Sequence, residues 1–324
     1  MNQHPMTQDS MTKRVAIVAN PTKHGYDDKF KAAVNEAVAE HGWAEPMWLE
    51  TAVADPGTGQ AKQAVADGAD LVIACGGDGT VTACAEGVAG TGVALGIIPN
   101  GTGNLLARNL GVPSNPQAAI DVALTGEVRR IDAGTANGRM FVVMAGLGLD
   151  ARMIMDTSEP LKKRLGWAAY AISVLRHLGD KPVRIRLTAD GGPARNTLAS
   201  TVIVGNVGWL RGGIPLLPDA EPDDGKLDAA VISARGWGNW ITLAAKVMLR
   251  QRVCTHLRRV TFSELLIEAR RAQPWEADGE PIGRTRRLVI TAQPGALTLM
   301  VPALASTPDD LAPEDPAADS VAVV

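Results

Sequence analysis

The stretch DLVIACGGDGTVTACAEGVA, residues 70–89, decides the fold of this chain. Its first six residues form an apolar run bounded by turn residues, which is typical of a strand buried on both faces of a parallel sheet. The glycine-rich turn GGDGT (76–80) follows, and the remaining nine residues predict a helix. A strand, a glycine-rich turn and a helix, when repeated, build a doubly wound α/β domain.

The same order of elements recurs on both sides of that stretch. KRVAIVA (13–19) predicts a buried strand that opens on NPTKHG (20–25), and ALGIIP (94–99) predicts a strand that meets NGTGN (100–104). Residues 13–131 are therefore predicted to form an α/β domain with a parallel sheet. The remaining elements predicted for this domain are helices over 27–41 and 58–67, a strand over 44–51 and a helix that ends at Leu110.

Short strand-like segments dominate the second half of the chain. We predict a mainly β domain, a sandwich, over residues 132–292, with residues 293–302 returning to the first domain. Residues 1–12 and the Ala/Pro/Asp-rich residues 303–324 are predicted to be disordered termini. The strands are predicted at 128–136, 140–145, 183–189, 198–205, 227–233, 260–269, 286–292 and 296–301, and the helices at 161–178 and 238–250.

Composition excludes several classes of protein. The chain has 324 residues, 46% of them apolar and 21% charged, which is the balance of a globular protein with a sizeable core. No apolar stretch reaches the about 18 residues that a membrane-spanning helix needs. The first twelve residues lack the apolar region of a secretory signal. Three cysteines give neither a disulfide framework nor a metal-binding spacing, so we expect a cytoplasmic protein.

Charge is divided unequally along the chain. Residues 1–160 carry 11 basic and 18 acidic side chains, whereas residues 161–287 carry 21 basic and 12 acidic ones. This asymmetry suggests two domains with different partners, and a solvated arginine-rich surface is the alternative explanation. No basic motif with interleaved aromatic residues is present, so nucleic acid is not an expected partner. The sequence leaves a homodimer open.

The predicted loops of the first half share the chemistry of a phosphate site. GGDGT and NGTGN each lie between the carboxyl end of a strand and a helix N-terminus, where N–H groups and the helix dipole favour an anion. Thr80 and Thr102 can donate hydroxyl groups, and Asp78 can hold Mg²⁺ through water. A tight turn without a ligand would explain one loop, whereas two loops together with NPTKHG favour a phosphate site. GLGLDA (146–151) matches a dinucleotide-binding pattern but lacks its downstream acidic residue, so we interpret it as a structural turn.

Five motifs in this order resemble the diacylglycerol kinase catalytic-domain family, with the soluble bacterial lipid kinases as the nearest branch. NAD kinases and sphingosine kinases are more distant relatives of that family. GGDGT alone would also fit an NAD kinase, whereas the two motifs of the second half favour a lipid kinase. The motifs are NPTK (20–23), GGDGT (76–80), PNGTGN (99–104), PDAEPDDGKLD (218–228) and WEADGEP (275–281).

The resemblance implies an ATP- and Mg²⁺-dependent kinase that phosphorylates the hydroxyl of diacylglycerol to form phosphatidic acid. It implies that Asp278 is the general base, that Glu280 lies by the phosphates or metal, and that Asp78 belongs to the catalytic loop. A structural Mg²⁺ would be held by the Asp224 carboxylate and the carbonyls of Glu221 and Lys226. The implied ATP-binding residues are Asn20, Pro21, Thr22, Lys23, His24, Thr51, Gly76, Gly77, Asp78, Gly79, Thr80, Val81, Thr82, Asn100, Gly101 and Thr102.

The chain departs from the family pattern at two places. Thr82 and Ala83 replace an Asn and a Glu after GGDGT, and Leu105 replaces an Asp that helps link the structural metal site. Three alternatives therefore stay open: a kinase of a sphingoid base, a kinase of NAD, and a nucleotide- or lipid-binding regulator with weak turnover. The retention of Asp78 and Asp278 favours a kinase.

A lipid acceptor implies peripheral contact with a membrane surface. LKKRLGWAAYAISVLRHL (161–178) has the pattern of a basic amphipathic helix, and the segment 246–259 adds further basic residues after Trp237 and Trp240. Basic residues near an anionic bilayer strengthen such binding. Packing of the apolar side chains against the β domain is the alternative explanation.

Overall fold

A computed structural model describes residues 12–303, apart from 24, 149–150, 152–180, 210–213, 250 and 252–253. The helix predicted over 161–178, the loop residue His24 and nearly all of both predicted disordered termini therefore lie outside the described residues. Among the helices that are described, none combines the length and apolarity that a bilayer crossing requires.

The N-terminal half contains a parallel sheet in the order β2-β1-β3-β4, with helices between its strands. Nearly every residue of β1, β3 and β4 is buried, as expected for strands covered on both faces. The strands are β1 (Val15–Ala19), β2 (Met47–Glu50), β3 (Leu71–Gly76) and β4 (Ala94–Pro99). The helices are α1 (Asp28–Glu40), α2 (Thr58–Ala66), α3 (Asp78–Val88), α4 (Leu105–Asn109) and α5 (Pro116–Thr125).

Helix α5 was not predicted, although its start carries a readable signal. Asn115 is the N-cap residue, its side-chain oxygen accepts the Ala118 N–H at 3.1 Å, and Pro116 occupies the first helical position. Asparagine followed by proline is the expected start of a helix. The buried residues of α5 include Ile120 and Ala123, which complete the core on one face of the sheet.

The C-terminal half is built mainly from antiparallel strands, in the order β12-β11-β10-β7-β13-β14. β14 also pairs with β5 and, through Thr298 and Leu299, with β4 in parallel. Hydrogen bonding is therefore continuous from one half of the chain to the other. The elements are β5 (Glu127–Ala136), β6 (Arg139–Phe141), β7 (Met144–Gly148), β8 (Val183–Ala189), β9 (Arg195–Ala199), β10 (Thr201–Gly205), β11 (Leu227–Ile232), α6 (Gly236–Met248), β12 (Leu257–Phe262), β13 (Glu264–Ala277) and β14 (Glu280–Val301).

The predicted fold class, a doubly wound α/β half joined to a mainly β half, is confirmed. Several predicted strand boundaries were wrong. The strands predicted at 286–292 and 296–301 are one strand with a register shift between Gln293 and Leu297, since a bulge kinks a strand without ending it. The segments 140–145, 198–205 and 260–269 each divide into two strands, and no glycine or proline marks these breaks in the sequence. The division into domains at 131/132 stays a prediction, and β5 runs through that position.

Candidate active site

Three loops converge at the carboxyl ends of β1, β3 and β4. The Asn20 N–H donates to the Cys75 carbonyl at 3.1 Å, and the Asn100 N–H donates to the Gly76 carbonyl at 2.8 Å. A Cβ atom on Gly101 would lie 2.6 Å from the Gly77 Cα, so a side chain at Gly101 would force the two loops apart. A Cβ on Gly77 would lie 3.6 Å from the Lys23 Nζ, which places an ammonium group beside the glycine loop. The three loops thus lie in close contact, with the Lys23 ammonium beside them, and we call them the glycine cradle.

Asp78 connects two of these loops. It is the first residue of α3, and its carboxylate accepts the Leu105 N–H at 2.6 Å. Leu105 replaces the Asp of the family pattern, and its contact with Asp78 is made by the main chain, which any residue supplies. Asp78 therefore fixes the third loop against the N-terminus of α3, where an anion is favoured.

The predicted ATP-binding residues do not all face the cradle. Gly76 and Gly77 are buried, and Thr80 packs its side chain against Gly76. Val81 lies in the core, and its N–H donates to the Gly77 carbonyl, so neither group reaches the loop surface. The other predicted residues divide by environment: Pro21, Thr22, Gly79 and Thr102 are exposed, Asn20, Lys23, Asn100 and Gly101 are half-buried, and Thr51 is buried at the end of β2.

The Asp278 turn enters the same region from the C-terminal half. Asp278 and Gly279 have φ angles of 47° and 80°, and they connect β13 to β14. Two consecutive left-handed residues define the tight hairpin turn that Asp-Gly sequences favour. The Asp278 N–H donates to the Met144 carbonyl at 2.8 Å, which fixes the turn to the start of β7.

The Asp278 carboxylate accepts four hydrogen bonds. Oδ1 accepts the N–H groups of Val143 and Met144, both at 2.9 Å. Oδ2 accepts the Val142 N–H at 2.8 Å and the Thr82 hydroxyl at 2.9 Å. Burial raises the pKa of Asp278, and these four hydrogen bonds oppose that rise. Thr82, predicted to bind ATP, thus contacts the carboxylate predicted to be the general base.

A cavity of about 430 Å³ lies between α2, α3 and the Asp278 turn. Gly79 and Thr82 of α3 border it from the α/β half, and Asp278 and Glu280 border it from the β half. Glu280 forms an ion pair with Arg139 at 3.0 Å. The charged residues at the cavity wall are Asp55, Lys62, Glu86, Arg139, Asp278 and Glu280.

The predicted metal-binding loop lies before β11, where Glu221, Asp224 and Lys226 are exposed. The Asp224 carboxylate accepts the Lys226 N–H at 2.9 Å. Asp132, which the sequence analysis missed, is buried, and its carboxylate accepts the N–H groups of Gly225 at 2.6 Å and Gly295 at 2.7 Å. An acidic residue inside an apolar strand was the signal that could have identified Asp132. Within the described ranges, no three His, Cys, Asp or Glu residues are grouped to hold a metal ion.

A parallel α/β half with glycine-rich loops at its strand ends, joined to a β half whose acidic turn borders a shared cavity, is an architecture that suits phosphate transfer. The diacylglycerol kinase catalytic domain matches residues 14–136, and the YegS C-terminal NAD kinase beta sandwich-like domain matches residues 142–301. The chain belongs to the diacylglycerol kinase-like family of lipid kinases, enzymes that transfer phosphate to an alcohol group.

Individual relatives agree with this assignment. A probable lipid kinase YegS-like protein from Pseudomonas fluorescens is 33% identical over 297 residues, which cover 90% of this chain and 97% of that protein. The diacylglycerol kinase of Bacillus subtilis is 30% identical, covering 73% of this chain and 79% of its own. The crystal structure of a diacylglycerol kinase from Bacillus anthracis superposes with a TM-score of 0.73 at 27% identity, covering 90% of this chain and 98% of that one.

Proposed function

We propose that this protein transfers the γ-phosphate of ATP to the hydroxyl of diacylglycerol, forming phosphatidic acid at a membrane surface. One observation carries the proposal. The N-terminal turn of α3, next to the glycine cradle, and the Asp278 carboxylate border the same cavity of about 430 Å³. A phosphate donor held by the loops and an acceptor hydroxyl beside Asp278 would therefore meet in one cleft.

The cradle fits the phosphates of a nucleotide. Gly77 and Gly101 let the two loops pack closely together, because neither carries a Cβ atom, and the Lys23 ammonium lies beside them. When bound, ATP with Mg²⁺ supplies the phosphoryl group and partly neutralises its charge. We assign its binding to the loop residues that face the cradle, with Asp78 as the candidate carboxylate for the metal. The Asp224 loop, fixed by Asp132, offers oxygen ligands of the kind that a separate structural Mg²⁺ prefers.

Asp278 is proposed as the general base for the acceptor hydroxyl. The desolvation that raises its pKa makes the ionised carboxylate a stronger base. Of its four donors, three are main-chain N–H groups fixed by the start of β7. The Thr82 hydroxyl can rotate away, so Oδ2 is the oxygen that can take up a proton. Glu280, paired with Arg139 at the same cavity, is proposed to orient groups near the phosphates.

A phosphate-transfer assay with γ-labelled ATP and Mg²⁺ tests the proposal. The purified full chain is given mixed micelles that contain diacylglycerol, sphingosine or no lipid, and NAD is supplied in a parallel reaction. We expect label in phosphatidic acid. Label in phosphorylated sphingosine or NADP would keep the kinase and replace its acceptor. Binding of ATP without transfer to any acceptor would overturn the proposal in favour of a nucleotide-binding regulator.

A further inference from the structure

Helix α6 carries apolar side chains both on the face that packs against the β half and on the face exposed to solvent. Its sequence, GWGNWITLAAKVM, contains one charged residue, Lys246. The inward face is formed by Trp240, Leu243 and Val247, which pack against a cluster that includes Ile203 and Leu217. These three residues follow the i, i+3, i+7 spacing of one helix face, and they account for the contact between α6 and the β half.

A second apolar row on α6 faces outward. The exposed fractions of Trp237, Ile241 and Met248 are 51%, 64% and 56%, and Ala244 between them is also exposed. The spacing i, i+4, i+7, i+11 places these four residues along one side of the helix. We call them the α6 stripe. A surface helix normally presents polar side chains outward, and an exposed apolar patch commonly marks an interaction site.

The chain segment that contains the α6 stripe is rich in basic residues. Residues 229–263 contain no Asp or Glu but six basic residues, namely Arg235, Lys246, Arg250, Arg252, Arg258 and Arg259. Arg235 and Arg258 are exposed, and Lys246 and Arg259 are half-buried. In the described part of the chain, the ion pairs join Lys31 to Glu50, Arg129 to Asp223 and Arg139 to Glu280, and none of these includes a residue of this segment.

We propose that the α6 stripe docks on an anionic lipid bilayer. The apolar side chains would enter the boundary between headgroups and acyl chains, and the basic residues would contact lipid phosphates. The inference deepens the proposed function, on which it rests, by naming the surface that holds the enzyme at its acceptor. A second copy of this chain fits less well, because a two-fold interface would bring the same basic residues of both copies together.

Vesicle sedimentation of the full-length chain tests the proposal. The probes are vesicles of phosphatidylcholine alone and vesicles of phosphatidylcholine with phosphatidylglycerol. We expect binding to the anionic vesicles that weakens with salt, and a loss of at least about tenfold in the partition coefficient for the double variant Trp237→Gln/Ile241→Gln. Leu198→Gln is the matched control, since Leu198 is 49% exposed on β9, and it should bind like the wild type.

The readouts separate this proposal from the kinase proposal. Binding is measured without ATP, so it can succeed when no lipid is phosphorylated, and phosphate transfer to acceptor in detergent micelles should be unchanged in the double variant. Equal partitioning of the double variant and the wild type would overturn the α6 assignment. So would a wild-type dimer that dissociates in the double variant, because the occupant of the stripe would then be a second copy.

Discussion

Two Asp-Gly turns in the β half have nearly the same local structure and different surroundings. Asp190 and Gly191 have φ angles of 48° and 66°, close to the 47° and 80° of Asp278 and Gly279. The Asp190 N–H donates to the Glu264 carbonyl, and its carboxylate accepts the N–H groups of Ser263 and Glu264. Asp278 forms the same three bonds with Val143 and Met144.

The difference lies in what each turn faces. Asp190 is exposed at the end of β8. Asp278 borders the central cavity and accepts two further hydrogen bonds, from the Val142 N–H and the Thr82 hydroxyl. The shared geometry shows that each carboxylate fixes its own turn. What distinguishes Asp278 is its place at the cavity and its contact with Thr82 in the other half of the chain.

The largest effect expected is the loss of turnover in Asp278→Asn. Without an ionisable carboxylate at this position, kcat for phosphate transfer should fall by at least about 10²-fold. ATP affinity should stay nearly unchanged, because the glycine cradle belongs to other elements. Steady-state kinetics of label transfer, with ATP binding measured by calorimetry, would check both expectations.

Asp190→Asn is the matched control for that substitution. It makes the same chemical change in a turn with the same backbone conformation and the same three shared hydrogen bonds. It should therefore reproduce the effect on folding that comes from those shared bonds and leave kcat within about twofold. Near-normal turnover in Asp278→Asn would remove Asp278 from the role of base. Equal losses in the two variants would show that the turns act only through stability.

Thr82 provides the second way to test the difference between the turns. Thr82→Val removes the hydroxyl that donates to the Asp278 Oδ2 with little change in volume. We expect kcat/KM at acid pH to fall by about tenfold, because less of Asp278 is ionised there. A donor favours the ionised carboxylate, so its loss should raise the pKa of Asp278 further. The acid limb of the pH–rate profile should therefore move to higher pH in Thr82→Val.

Thr82→Ser keeps the hydroxyl and should restore both the rate and the position of the acid limb. A fall in rate with an unmoved acid limb would mean that Thr82 acts on the packing of α3 or on ATP. In that case the ATP-binding role predicted for Thr82 from the sequence would stand, and the contact with Asp278 would be structural.

The same comparison explains how far the sequence could predict this site. GGDGT and NGTGN are local signals, because a strand, a glycine turn and a helix N-terminus are neighbours in the chain. Asp278 offered no local signal that distinguished it from Asp190, since both read as an ordinary Asp-Gly turn; only the family resemblance singled it out. Its partners Thr82 and Met144 are 196 and 134 residues away in the chain. Main-chain N–H donors cannot be identified from the sequence, because every residue except proline carries one.

Alanine at the two turn glycines should have a smaller effect, and an equal one. Gly191 and Gly279 both have positive φ, and no atom lies within 4 Å of a Cβ added to either. The cost of Gly191→Ala and Gly279→Ala is therefore backbone strain alone, about 1–2 kcal/mol of unfolding free energy each. Urea unfolding of both variants would check this, and a difference above about 1 kcal/mol would show that the turns are locally unlike.

The smallest effect is expected from the ion pair beside the catalytic turn. Arg139 and Glu280 are 3.0 Å apart, with side chains 47% and 52% exposed. Solvent screens such a pair, so Arg139→Gln should change the unfolding free energy by less than about 1 kcal/mol. Arg129→Gln, which breaks the comparable pair with Asp223 at 2.8 Å, is the control. A clearly larger loss in Arg139→Gln would mean that Arg139 holds the Asp278 turn in place. The main-chain hydrogen bonds to the start of β7 would then be insufficient to fix the Asp278 turn. The two turns would therefore differ in what stabilises them.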